Sequence, residues 1–214
     1  MKPLPVILIG AGGHAKELLD ALDLLGMEVI GLTDLDASRA GQQVSGVPII
    51  GGDEVPSLHK PGSIQLVNAI GSIGSMSARR AAYEKFSKQG FTFADVIHPA
   101  AMVSRRAILQ AGVQIMAGSI VQADATIALN TIINAGAIVE HDCFVGAHVH
   151  LAPGVTLSGA VRIGEATHVG TGATIIQSIQ VGKGCTIAAG AVVIGNVPDG
   201  ATVSGVPAKG AISS

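Results

Sequence analysis

From Val103 onward an aliphatic residue returns at every sixth position. The run is Val103, Leu109, Ile115, Val121, Ile127, Ile133, Val139, Val145, Leu151, Leu157, Ile163, Val169, Ile175, Val181, Ile187 and Val193, with no slip or insertion. The fifth place of each hexad is small or β-branched, from Ala107 and Val113 through Cys185 and Val197. All 13 glycines between residues 103 and 198 fall at places two to four, where the chain must turn and φ > 0 is tolerated. A period of six suits neither a helix nor a hairpin sheet. It is the hexapeptide signature of a parallel β-helix, in which each hexad is one short strand plus a corner. Three hexads close a triangular coil, the aliphatic first place points inward, and coils stack at ~4.8 Å. So narrow a core leaves little room for rings, in keeping with an aromatic content of 2%.

The pattern before the ladder is different. Pro5 to Ile9 reads as a buried strand, Gly10-Ala11-Gly12-Gly13-His14 as a turn, and Ala15 to Leu25 as an amphipathic helix with Leu18, Leu19, Leu22 and Leu25 on its apolar side. Glu28 to Leu32 is a second strand ending near Thr33-Asp34. This succession opens a doubly wound α/β unit. Asp36 to Gly46 reads as a polar loop and Val47 to Gly52 as a short extended piece, with Asp53 placed to cap a helical turn. A third strand spans Ile64 to Ile70. A helix follows over Ser77 to Gln89, with Ala78, Ala81, Ala82 and Phe86 inward. Phe91 to Ile97 leads into His98-Pro99, and beyond Pro198 the tail leaves the hexad register. The expected organisation is a Rossmann-like α/β half-domain over 1–97 and a β-helix over 98–214.

Composition narrows the function classes. A net charge of −2 with 13% charged residues offers no basic field for nucleic acid. No apolar run approaches the length of a membrane span. Met1-Lys2-Pro3 runs straight into a strand without a signal-peptide pattern, so a cytoplasmic location is expected. Cys143 and Cys185 both take fifth places, on different faces of the prism and ~10 Å apart along its axis. That is beyond disulfide reach, and both are expected to be small core residues.

Two places carry candidate chemistry. Gly10-Ala11-Gly12-Gly13-His14-Ala15 fits G-x-G-x-x-A, whose physical content is close backbone approach and helix N-terminal amides facing an anion. A half-domain of this size suits a mononucleotide such as UDP better than NAD, and a plain strand-to-helix turn stays open. Asp34 is placed to accept from ribose or base groups. In the ladder, Glu140-His141-Asp142 is the most polar corner, and a histidine beside a carboxylate is a general-base arrangement. A solvated corner is the alternative. His150 and His168 share the sixth place one coil apart and should stack. With His141 and His148 they also leave open a zinc site like that of the γ-class carbonic anhydrases.

The chain resembles the bacterial sugar acyltransferases of the left-handed β-helix class, above all the UDP-4-amino-sugar N-acetyltransferases of the bacillosamine type and the sialic acid O-acetyltransferases. The resemblance spans nearly the whole chain. Its markers are the Gly10–His14 turn, Ala69-Ile70-Gly71, Ile97-His98-Pro99, the stretch from Asn134 to Asp142, and Gly205-Val206-Pro207-Ala208-Lys209. It implies a left-handed coil, a homotrimer, acetyl-CoA as co-substrate in the groove between neighbouring helices, and no metal. By the family pattern, His141 is the catalytic base and Asp142 raises its basicity, where close relatives carry Glu. Asn134 lines the site, and His150, Thr171 and Ala189 contact acetyl-CoA. Gly12, Gly13, His14, Asp34 and Gly71 contact a UDP-amino sugar. The implied reaction is acetyl transfer to the 4-amino group of that sugar, for glycan biosynthesis, with O-acetylation of sialic acid or a related sugar as the rival.

Overall fold

A computed structural model describes residues 3–71 and 76–210 of the 214. Met1 and Lys2, on which part of the N-terminal expectation rests, lie outside the described residues. The chain divides into two compact units, Met1–Pro99 and Ala100–Ser214.

The first unit runs β1 (Val6–Ile9), α1 (Gly13–Leu24), β2 (Val29–Thr33), β3 (Gln43–Val44), β4 (Val47–Gly51), β5 (Gln65–Asn68) and α2 (Ser77–Lys88). The sheet order is β3-β4-β2-β1-β5. β1 pairs in parallel with β2 and β5, β2 in parallel with β4, and only the short β3 runs antiparallel. All four residues of β1 are fully buried, as expected for a central strand covered on both faces. Ile7 and Ile9 share a core with Leu66, Phe86, Phe91 and Phe93. Burying a side chain of this size stabilises the fold by ~1.5–3 kcal/mol.

Several local expectations are corrected. Leu25 is the C-cap of α1 and is exposed rather than apolar-side, because the helix stops at Leu24. Asp53 caps nothing: the short 3-10 turn Val55–Leu58 starts from Glu54 without a side-chain cap, and Asp53 turns towards Thr33 and Lys85 instead. The polar stretch after Asp36 is not wholly loop, since it holds a 3-10 turn (Ala37–Arg39) and β3. On α2 the buried residues are Arg79, Ala82 and Phe86, while Ala78 and Ala81 are exposed. Arg79 goes inside because its guanidinium meets two carbonyls at the end of β5, donating from Nη1 to Asn68 O at 2.6 Å and Ile70 O at 3.0 Å.

The second unit is a left-handed parallel β-helix. Two-residue strands pair with the strand eighteen positions on, as in Ile120 with Ile138, Thr126 with Phe144 and Ile132 with His150, and so build three faces. Ladder residues are buried from Ile115 to Val193, and only Val103 and Leu109 at the open end are half-buried. Positive φ is confined to the fourth place of the hexad: from Gly112 to Gly190 every such residue has φ between 53° and 74°, including Asp142 and His148. Glycines at the second place answer a different need. A Cβ on Gly164 would stand 2.5 Å from the carbonyl carbon of Gly182 on the next coil. Fifth-place hydroxyls close buried carbonyls, with Thr131 Oγ1 donating to Gly146 O at 2.9 Å and Thr167 Oγ1 to Gly182 O at 2.8 Å. The tail beyond Pro198 leaves the hexad spacing yet stays in the sheet, where Thr202–Ser204 pairs with Thr186–Ile187.

Candidate active site

His141 takes the third place of its hexad and Asp142 the fourth, on an exposed corner. The left-handed backbone at Asp142 (φ 61°) is a conformation that aspartate tolerates better than most residues. The two side chains meet there: His141 Nδ1 lies 2.8 Å from Asp142 Oδ2. A carboxylate only accepts, so Nδ1 carries the proton and the lone pair rests on Nε2. The bond to Asp142 raises the His141 pKa above its ordinary value, with the charges of Asp142 and Glu140 adding to it. The corner therefore presents a strengthened base to solvent. Gly159, on the next coil, lies against the ring. The adjacent Cys143 is buried and donates to Ser158 O at 3.2 Å, and burial pushes its thiol up to about 11.

Asn134, Thr171 and Ala189 belong to the preceding corner. The stacking is recorded in the backbone, where Gly154 N donates to Ala135 O, Gly172 N to Pro153 O and Gly190 N to Thr171 O. His150 stands on the strand that enters this corner. Asn134 Oδ1 accepts from Ala135 N at 2.7 Å, so its amide nitrogen faces His150 Nε2 at 3.2 Å. As the Asn nitrogen can only donate, His150 Nε2 accepts and the ring proton sits on Nδ1. His168 pairs in register with His150, its ring edge-on at 5.2 Å between centroids. Burial lowers the His168 pKa. One chain thus holds two groups, His141 with Asp142 and Asn134 with His150, at successive corners separated by the strand Ile138–Val139.

In the first unit, Gly12 is the N-cap of α1 and offers no side chain to the helix's leading amides, which leaves a site suited to an anion. Gly10 has φ 101° and packs so closely that a Cβ would meet Ile70 N at 3.2 Å. A cavity of about 250 Å³ opens at the carboxyl ends of the strands, lined by Gly10, Gly12, Asp34, Leu35, Asp53, Ala69, Ile70, Gly71 and Ala78. Of the expected nucleotide contacts, Gly12, Asp34 and Gly71 line it. Gly13 and His14 form the first turn of α1, where His14 Nδ1 lies 3.3 Å from Glu17 Oε2 and holds the Glu17 carboxyl below its usual range.

Four residues were not expected at these sites. Arg39 ion-pairs with Asp34 and donates from Nη2 to Ala11 O at 3.2 Å, bracing the glycine turn. Asp53 lines the cavity, Arg79 pins its Ala69–Gly71 wall from behind, and Gly159 supports His141. Only Gly159 had a legible signal, since eighteen residues separate it from His141. Among the described residues no group of three or more His, Cys, Asp or Glu could hold a metal ion, and no helix is long and apolar enough to cross a membrane.

Comparison with known proteins agrees with this geometry. Residues 5–86 match the PglD N-terminal domain, and residues 160–194 match the hexapeptide repeat of succinyl-transferase. A search of curated proteins gave no match. Among solved structures, the chain is similar to a histidine mutant of GDP-perosamine N-acetyltransferase from Caulobacter crescentus, in complex with CoA and GDP-perosamine, at 38% identity and TM-score 0.91, covering 98% of this chain and 97% of that one. It is equally similar, at 38% identity and TM-score 0.90, to the acetyltransferase domain of PglB from Neisseria gonorrhoeae in complex with acetyl coenzyme A, covering 98% and 100%. WeeI from Acinetobacter baumannii, at 24% identity and TM-score 0.86 over 97% and 100%, shares the fold. With a glycine-turn α/β unit, a left-handed hexapeptide β-helix and these relatives, the chain belongs to the bacillosamine-type sugar acyltransferases.

Proposed function

We propose that the protein is an acetyl-CoA-dependent N-acetyltransferase acting on the 4-amino group of a nucleotide-linked amino-dideoxy sugar, in the cytoplasm, for glycan biosynthesis. The observation that carries this is the His141–Asp142 pair, an exposed imidazole with its base-strengthening carboxylate at 2.8 Å. Support comes from relatives described as binding CoA, acetyl-CoA and GDP-perosamine, two of them as histidine mutants. The unit over residues 1–97 binds the nucleotide through Gly12, Gly13, His14, Asp34 and Gly71, and the β-helix over 98–214 performs the transfer. UDP is the nucleotide implied by the sequence resemblance. One relative is described in complex with GDP-perosamine instead.

In the reaction, His141 Nε2 takes a proton from the sugar amine as the amine nitrogen attacks the thioester carbonyl of acetyl-CoA. The tetrahedral intermediate collapses, the C–S bond breaks, CoA leaves as the thiolate and takes up a proton, and the amide remains. Asp142 stabilises the imidazolium. His150, with its proton on Nδ1, stands at the thioester end, Asn134 fixes that tautomer, and Thr171 and Ala189 meet the pantetheine arm. In the homotrimer that the resemblance implies, His141 and His150, which occupy successive corners of one chain, come to one site from neighbouring copies. No acyl-enzyme forms.

Release of free CoA, measured against a panel of UDP- and GDP-linked amino sugars and against sialic acid, tests the proposal. Turnover with a nucleotide-linked 4-amino sugar supports it. Turnover confined to sialic acid contradicts it.

A further inference from the structure

The cavity at the carboxyl ends of β1, β2, β4 and β5 has an unusual polar lining. Among the described residues, its only polar side chains are the carboxylates of Asp34 and Asp53; the other side chains are aliphatic, and the rest is glycine backbone. Asp34 is already engaged at both oxygens: Oδ2 pairs with Arg39, and Oδ1 accepts from Asp36 N at 2.9 Å. Asp53 is held more loosely. Its Oδ1 lies 3.5 Å from the Thr33 hydroxyl, and Lys85 Nζ stands 3.8 Å from Oδ2 while giving its nearer contact, 3.3 Å, to the Asp53 backbone carbonyl. Asp53 is therefore a charge-balanced carboxylate, three-quarters buried at 25% exposure, with acceptor capacity left on both oxygens.

Resting on the nucleotide-sugar reading above, we infer that this cavity takes the nucleobase and that Asp53 selects guanine over uracil. A carboxylate offers two adjacent acceptors and no donor. Guanine presents two adjacent donors on one edge, the N1–H and the 2-amino group, and satisfies both oxygens at once. Uracil presents a single N3–H between two carbonyl oxygens, so it makes one hydrogen bond and sets a carbonyl against the remaining carboxylate oxygen. Adenine and cytosine bring only one amino donor. Asp53 follows β4, whose end is fastened to that of β2 by Asp34 N donating to Gly51 O at 3.0 Å. The base reader thus stands beside Asp34, the residue expected at the ribose. Leu35, 82% exposed, and Ile70 supply the apolar surface for the ring faces. The acceptor is then a GDP-linked amino sugar, a departure from the uridine expectation.

The test is the affinity of the full-length protein for GDP and for UDP, by titration calorimetry, in the wild type and in Asp53→Asn. Asparagine offers one donor and one acceptor, which complements the N3–H and O4 of uracil but not the two donors of guanine. The wild type should prefer GDP by about tenfold or more, the worth of one charge-assisted hydrogen bond. Asp53→Asn should weaken GDP by a similar factor and leave UDP unchanged or tighter, with the unfolding midpoint retained. Equal or tighter UDP binding by the wild type, equal losses of both nucleotides in the variant, or binding of neither would overturn the assignment. CoA release separates this from the reaction: turnover with UDP-linked sugars alone sinks the guanine assignment and leaves the acetyl transfer standing. A GDP preference without any turnover does the reverse.

Discussion

The imidazole of His141 rests on Gly159, one coil further along the prism. A Cβ built on Gly159 would stand 2.7 Å from His141 Cε1 and 2.8 Å from Nε2, the atom proposed to receive the proton. The backbone of Gly159 lies outside the left-handed region, so alanine carries no positive-φ penalty there, and the three atoms nearest its methyl group all belong to the His141 ring. Gly159→Ala should push the ring aside and lower kcat by ~10²-fold, the scale of an ångström's misplacement. The unfolding midpoint should hold. Comparing kcat with thermal unfolding checks this, and unchanged turnover would show that the ring position does not matter.

The acid side of the pH profile follows from Asp142. A base works in its neutral form, so kcat/KM falls as pH drops through the His141 pKa. That value is raised by the bond to Asp142, which places the fall above the ordinary imidazole range of ~6.5. Asp142→Asn removes the carboxylate and one charge while Glu140 remains. The acid limb should then move to lower pH, and the plateau should fall because the base is weaker. A limb that stays in place would separate the titration from His141.

Cys143 sits next to the proposed base, and the proposed transfer makes no use of it. Its thiol is pushed up to about 11 by burial and is tied to Ser158 O, so the thiolate is scarce at neutral pH. Cys143→Ala should keep kcat within about twofold, and mass spectrometry of the enzyme with acetyl-CoA should find no acetyl adduct on it.

Arg79 is a stability element behind the cavity of the first unit. Arg79→Met would strip a donor from the buried carbonyl of Asn68 and the half-buried carbonyl of Ile70. The loss should be about 2–4 kcal/mol, since an unsatisfied buried polar group costs ~1–3 kcal/mol. Urea unfolding of the first unit measures it, and a change below 1 kcal/mol would refute the role.

The β-helix was legible because its instructions are local and repeat: one aliphatic place, one small place and one corner every six residues. The same ruler foretold the His150–His168 stack, now seen at 5.2 Å. It also exposed the one acid–His–acid corner. What stayed hidden depends on contacts distant in sequence. Arg79 was not among the inward residues expected of its helix, because no local pattern announces two waiting carbonyls at the end of β5. Arg39 and Asp53 lay in a stretch without periodicity, and only the pairing of β2 with β4 brings Asp53 beside Asp34. Glycines at the second hexad place looked like turn formers, whereas the coil spacing excludes a Cβ there.

In the proposed mechanism His141 is the base in a direct transfer from acetyl-CoA. The measurement that meets it most directly is kcat for His141→Ala with a nucleotide-linked 4-amino sugar, alongside the unfolding midpoint. Loss of general-base assistance predicts a fall of ~10²–10⁴-fold. The midpoint should not change, because His141 is exposed. Turnover near that of the wild type in a folded variant would contradict the account.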